Sequence, residues 1–242
     1  MTLEELQTAA NNGDINAMIS LGENCLETKT VNSFIAAINW FAMAAKEGNA
    51  FAALKASATS ADVAETCMSH SICGRETFEF WQKTTLHALD AMKDPSPDSF
   101  DPAMKLLEKG LLGMAYLQYL NNQSSQAIGT LKSIDTPTTP QFTYAVKLLK
   151  AVCVIEVSDD APLGEIFSVF NSVFCDKEYI ALISDASILE QMIFSCGANM
   201  YAAMLRRGAG TTANPQLADA VLNLAYNSLS EEAAKKPLLP RN

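Results

Sequence analysis

Ala9-Ala10-Asn11-Asn12-Gly13-Asp14, followed by Ala17 and Leu21-Gly22, returns as Ala44-Ala45-Lys46-Glu47-Gly48-Asn49, followed by Ala52 and Ala56-Ser57. Ala10 and Ala45, Gly13 and Gly48, and Ala17 and Ala52 each stand 35 positions apart. A fixed period of that size belongs to stacked helical hairpins, each too small to bury its own apolar face. Gly13 and Gly48 fall where one helix must stop and the chain must turn, and glycine enters the left-handed region without steric cost. Asp14 and Asn49 follow at once, with short side chains that can accept from the first free amides of the next helix. The recurring alanines are small because neighbouring helices must approach closely there. Between the turns, the stretch from Ile35 to Ala45 is apolar around most of its circumference, as expected of a helix sandwiched between others.

The pattern Ala37-x-x-Trp40-Phe41-x-x-Ala44-Ala45-x-x-Gly48-Asn49-x-x-Ala52 resembles the Sel-one-like repeat, a branch of the tetratricopeptide superfamily. Leu205-Arg206-Arg207-Gly208-Ala209-Gly210, with Ala218, Val221-Leu222 and Ala225 after it, resembles the glycine-x-glycine loop and second helix of the same repeat. The first copy has no such loop after Gly22, and the second has Ala56-Ser57 where Leu-Gly is usual. The resemblance implies an all-α superhelix, a solenoid of antiparallel helical hairpins, whose first helices line a concave groove. Partner contacts would then come from Asn16, Ser20 and Glu23 in the first copy, from Phe51 and Lys55 at equivalent places 35 residues on, and from Met200 in the last copy. Phe51 is either an exposed anchor or packs on the segment that follows it.

Composition bounds the function. Among 242 residues, 49% are hydrophobic and 18% charged, so much of each helix faces another helix. The formal net charge of −10 argues against nucleic acid, which needs a basic stripe to displace counterions, and against anionic membrane surfaces. Net charge speaks to solubility first, and an acidic protein is also suited to steering towards a basic partner. Met1-Thr2-Leu3-Glu4-Glu5 has neither the basic nor the apolar region of a signal peptide. No window approaches the roughly 18 apolar residues of a membrane span. Cys25, Cys153, Cys175 and Cys196 lie in apolar helical surroundings, where free cysteine acts as a small hydrophobe. Some secreted members of the resembled family staple helix pairs with regularly spaced disulfides; that spacing is lacking, and reduced thiols in the cytoplasm are expected.

In order, helices are predicted over 3–12, 14–27 and 33–47, with a further one from Asn49 fading at Ser57-Ala58-Thr59-Ser60 and Ser60 capping another through Cys67. A helix from Arg75 to Met92 would bury Phe78, Trp81, Leu86, Leu89 and Met92. Asp94-Pro95-Ser96-Pro97-Asp98-Ser99-Phe100 reads as a boundary, because its prolines oppose helix continuation. Repeats over 1–93, a linker at 94–101, further helical repeats over 102–232 and a flexible tail at 233–242 follow. Helices are expected at 102–121 and 125–134, at 140–157 with Thr139-Pro140 as its start, through Phe174, from Asp185 to Arg207, and from Asn214-Pro215 to Ser230.

Catalytic sets are sparse. Cys67, His70 and Cys73 could supply three corners of a tetrahedral zinc site, yet the second pair of ligands that structural sites show is not evident. The two histidines leave little for a cysteine–histidine pair. Gly208-Ala209-Gly210 follows a helix and lacks the third glycine of a dinucleotide fingerprint. Asp159, Asp160 and Glu165 read as turn and helix-start charges. The expected function is a non-catalytic scaffold, without cofactor or bound metal, that holds a protein or peptide in its concave face. A bacterial adaptor is implied by the resemblance alone, and a toxin-neutralising immunity protein is a related version with a basic target. The alternative is a metal-binding or thiol enzyme centred on Cys67, His70 and Cys73.

Overall fold

The computed structural model describes residues 2–230. Among them there is no strand, and successive helices joined by short turns pack on one another. The helices are α1 (Leu3–Asn11), α2 (Ile15–Glu27), α3 (Val31–Lys46), α4 (Ala50–Ser69), α5 (Arg75–Ala91), α6 (Pro97–Leu120), α7 (Ser124–Leu131), α8 (Pro140–Val157), α9 (Leu163–Phe174), α10 (Lys177–Leu182), α11 (Ile188–Arg207) and α12 (Pro215–Ser228). The described chain forms two compact units, 2–67 with 73–113 and 68–72 with 114–230. The tail read at 233–242 lies outside the described residues.

In the first unit the two turns 35 residues apart are the same object. Gly13 and Gly48 have φ of +94° and +85°. Their N–H groups donate to Ala10 O and Ala45 O, and those of Asp14 and Asn49 donate to Ala9 O and Ala44 O. This is the doubly bonded helix ending that a left-handed residue permits. Asp14 Oδ1 then accepts from Ala17 N at 3.0 Å and Asn49 Oδ1 from Ala52 N at 2.9 Å. Three of the four recurring alanines meet as the pattern requires: Ala10, Ala17 and Ala52 share one buried cluster with Met18, Leu21 and Ala44, whereas Ala45, the counterpart of Ala10, is half-buried and packs beside Ala53, Ala91 and Ala103. Gly22 faces the Phe41 ring so closely that an added Cβ would lie 2.5 Å from it.

Three expectations in this unit fail, two of them mainly through local hydrogen bonds and one through packing. The helix from Asn49 does not fade at Ser57–Ser60. Thr59 and Ser60 return their hydroxyls to Lys55 O and Ala56 O, and Ser57 donates across to Thr84 O at 2.7 Å, so α4 continues to Ser69. Hydroxyl side chains that satisfy the carbonyl four residues back do not break a helix. In α5 the buried face is Thr77, Trp81, Thr84, Ala88 and Ala91, while Leu86 and Leu89 are 60% and 46% exposed. Gly110 and Gly113 of α6 leave room for Thr85 and for the Trp81 indole, and this fit outweighs the larger apolar stripe. Finally, residues 97–101 are helical. Asp94 accepts from Ser96 N, Ser96 Oγ and Ser99 Oγ at 2.9–3.0 Å, Pro97 opens α6, and Pro102 is carried in its second turn.

In the second unit α7 packs on α8, α8 on α9 and α11, α9 on α11, and α11 on α12. Thr139 caps α8 and Asn214 caps α12, with Pro140 and Pro215 at the starts, as the cap-and-proline reading predicts. Helix α11 is capped by Ser187 with Glu190 in a reciprocal pair, not at Asp185, and α10 escapes the sequence reading because it is six residues long. An aromatic cluster joins α8, α9, α10 and α11 through Tyr144, Phe174, Tyr179, Phe194 and Tyr201, with ring centroids 4.7–5.8 Å apart. Cys153 is buried and Cys25 and Cys196 are half-buried, but Cys175 is exposed where α9 ends, outside the apolar setting expected of it.

Candidate partner-binding face

Asn16, Ser20 and Glu23 lie along α2 at a spacing that keeps them on one side of the helix. Asn16 and Glu23 are exposed and Ser20 is half-buried. The inward neighbours of this row are Ala17 and Leu21, which share a core with Ala52 of α4. Phe51, the residue before Ala52, is 49% exposed. It does not bury itself on the segment that follows: the Lys55 ammonium stands 5.2 Å from its ring centroid. An ammonium over a ring face is worth about 0.5–1 kcal/mol at such a surface. Lys55 itself is half-buried, so its stem covers apolar surface while its charge remains outside. Met200 is half-buried on α11, in the other unit.

Cys67 and Cys73 are half-buried, and His70 is exposed with Nδ1 3.1 Å from Ser69 Oγ. Among the described residues no group of three or more histidine, cysteine, aspartate or glutamate side chains converges as metal ligands would. Burial pushes the thiols of Cys25 and Cys196 above the ordinary range, which opposes the thiolate that nucleophilic chemistry needs.

Several polar features are beyond sequence reading. Lys109 on α6 meets Glu65 on α4 at 3.1 Å, both largely covered, while Glu65 Oε1 is buried without a partner. Beside them desolvation raises the Asp62 carboxyl, which Lys109 pulls down and Glu65 pushes up. In the second unit Tyr144 donates to Asp176 Oδ2 at 2.6 Å, and that bond raises the phenol and lowers the carboxyl. Asp176 also accepts from Glu178 N and Tyr179 N, so the pair fixes the start of α10. Gln191 is 2% exposed and binds Ser184 O, Ala186 O and Ser230 N. Apart from the helix cap at Asp176, no local pattern marks these residues, because their partners lie on other elements.

The geometry defines an all-helical protein with packed neighbouring helices, in which no described helix is long and apolar enough to cross a membrane. Comparison of the chain with family models, curated proteins and solved structures returns no match.

Proposed function

We infer that the chain is a helical-repeat scaffold of the Sel-one-like kind, non-catalytic, that binds a protein or peptide along the outer row of α2 and α4. One observation carries this reading: Phe51 is half exposed at the place equivalent to Asn16, with the Lys55 ammonium over its ring and the rest of it open to solvent. A rigid aromatic side chain with apolar area on offer is the usual centre of a protein contact. The net charge of −10 favours a basic partner, and an immunity protein matched to a basic toxin is one version of it.

The test uses pull-down from the native lysate followed by calorimetry with the purified partner. Phe51→Ala combined with Asn16→Ala should weaken binding by about tenfold or more, since an anchor residue is worth about 2 kcal/mol, with circular dichroism unchanged. A partner bound equally well by the double variant would place the interface elsewhere.

A further inference from the structure

His87 lies on α5 with its Nδ1 buried and without a hydrogen-bond partner. A neutral imidazole can leave that nitrogen as a bare acceptor. The imidazolium cannot, because both ring nitrogens then carry N–H donors, and one of them would be a buried, unpaired, charged donor. The charged surroundings do little to help. Lys83 lies one turn back on α5, its Nζ 5.2 Å from the Phe80 ring, and Lys46 acts from the last turn of α3, the helix packed against α5. The one acid acting on the ring is Asp90, and its carboxylate is already paired with Lys93 at 2.7 Å. From α4 and α6, Ser57, Ala53, Ala103, Gly110 and Gly113 touch α5, and none of these five carries a charge.

We propose that His87 is a proton-sensitive latch on the packing around α5: neutral, it lets the helix close against its neighbours, and its protonation on mild acidification loosens the first unit. Desolvation, opposed by Asp90 and reinforced by Lys83 and Lys46, lowers the ring's pKa from its ordinary 6.5. The unfolded chain therefore takes up this proton first as pH falls. The stabilising contribution is complete above pH 6.5 and is lost progressively as pH drops towards the folded-state value.

Both tryptophans, Trp40 on α3 and Trp81 on α5, report on this unit, so fluorescence-detected melting of the full chain reads it selectively. Between pH 7.5 and 5.5 the wild-type midpoint should fall further than that of His87→Gln, by a few degrees at most for the loss of one group's contribution. His70→Gln, on an exposed turn, should keep the wild-type slope. Lys46→Gln and Lys83→Gln should each move the His87 ring titration, followed by NMR, upward. If His87→Gln is too unstable to melt cleanly, the ring titration in the wild type and in the lysine variants decides. Parallel pH dependence in wild type and His87→Gln, or a His87 ring that titrates at 6.5 or above, overturns the proposal.

Discussion

Both units bury alanines, Ala115, Ala145, Ala202 and Ala218 among those of the second, but they differ in the rings packed with them. In the first, Ala10, Ala37, Ala44, Ala52, Ala56 and Ala88 are fully buried, and its buried aromatic side chains among the described residues are Phe41 and Trp81. In the second, Phe142, Phe170, Phe174, Tyr179, Phe194 and Tyr201 are buried, most of them in ring-to-ring contact. Small residues let helices approach until backbone meets side chain, so the first unit is limited by atoms that cannot move. Rings hold helices apart and can tilt against one another within a range of centroid separations. The first interior is specified by fit and the second by volume.

The largest effect that would test this contrast is the removal of a ring. Phe194→Ala should cost about 3–5 kcal/mol in denaturant unfolding, while Phe194→Leu, which keeps most of the volume, should cost about 1.5 kcal/mol or less. A Leu variant as damaging as the Ala variant would mean that ring geometry, and not volume, specifies the second unit.

Next comes the addition of a single methyl group in each unit. At Gly113 a Cβ would press against the Trp81 indole at well under 3.0 Å, whereas at Gly197 the nearest atom is the end of the Leu148 side chain, at 3.0 Å. Gly113→Ala should destabilise by about 2–3 kcal/mol through overpacking. Gly197→Ala should cost less than about 1 kcal/mol, because Leu148 can shift and alanine favours the helix. Equal losses would erase the contrast between the units.

The smallest effect sharpens the repeat inside the first unit. Asp14→Ala and Asn49→Ala remove the same cap from the two copies, and each should cost about 1 kcal/mol. Thermal melts that differ by more than about half of that would show that the two turns, alike in their bonds, differ in their environment.

How much could be read in advance follows the same division. The turns at Gly13 and Gly48, their caps at Asp14 and Asn49, and the starts at Thr139-Pro140 and Asn214-Pro215 were legible because each depends on atoms a few positions apart. The buried face of α5 was not legible. Leu86 and Leu89 outweigh Thr84 and Ala88 on any apolar scale, and only Gly110 and Gly113 on the following helix make Trp81 and its small neighbours the better face. The candidate positions follow from the 35-residue register from Asn16 to Phe51, and both side chains are exposed. The cover that Lys55 gives Phe51, and the orphaned nitrogen of His87, became visible only in three dimensions.

By itself, then, the sequence determined that the chain is helical, where its helices are capped and turned, and that one hairpin ending occurs twice. Those properties arise from φ preferences and from hydrogen bonds that span at most five residues. Tertiary structure alone decided which side of α5 is covered and that Ser57 of α4 finds its acceptor in Thr84 O. It also decided which polar groups lost water without gaining a partner. Burial is a property of where distant segments meet, and no local pattern encodes the cost of a charge, a ring or a methyl group at a place the chain reaches only when folded.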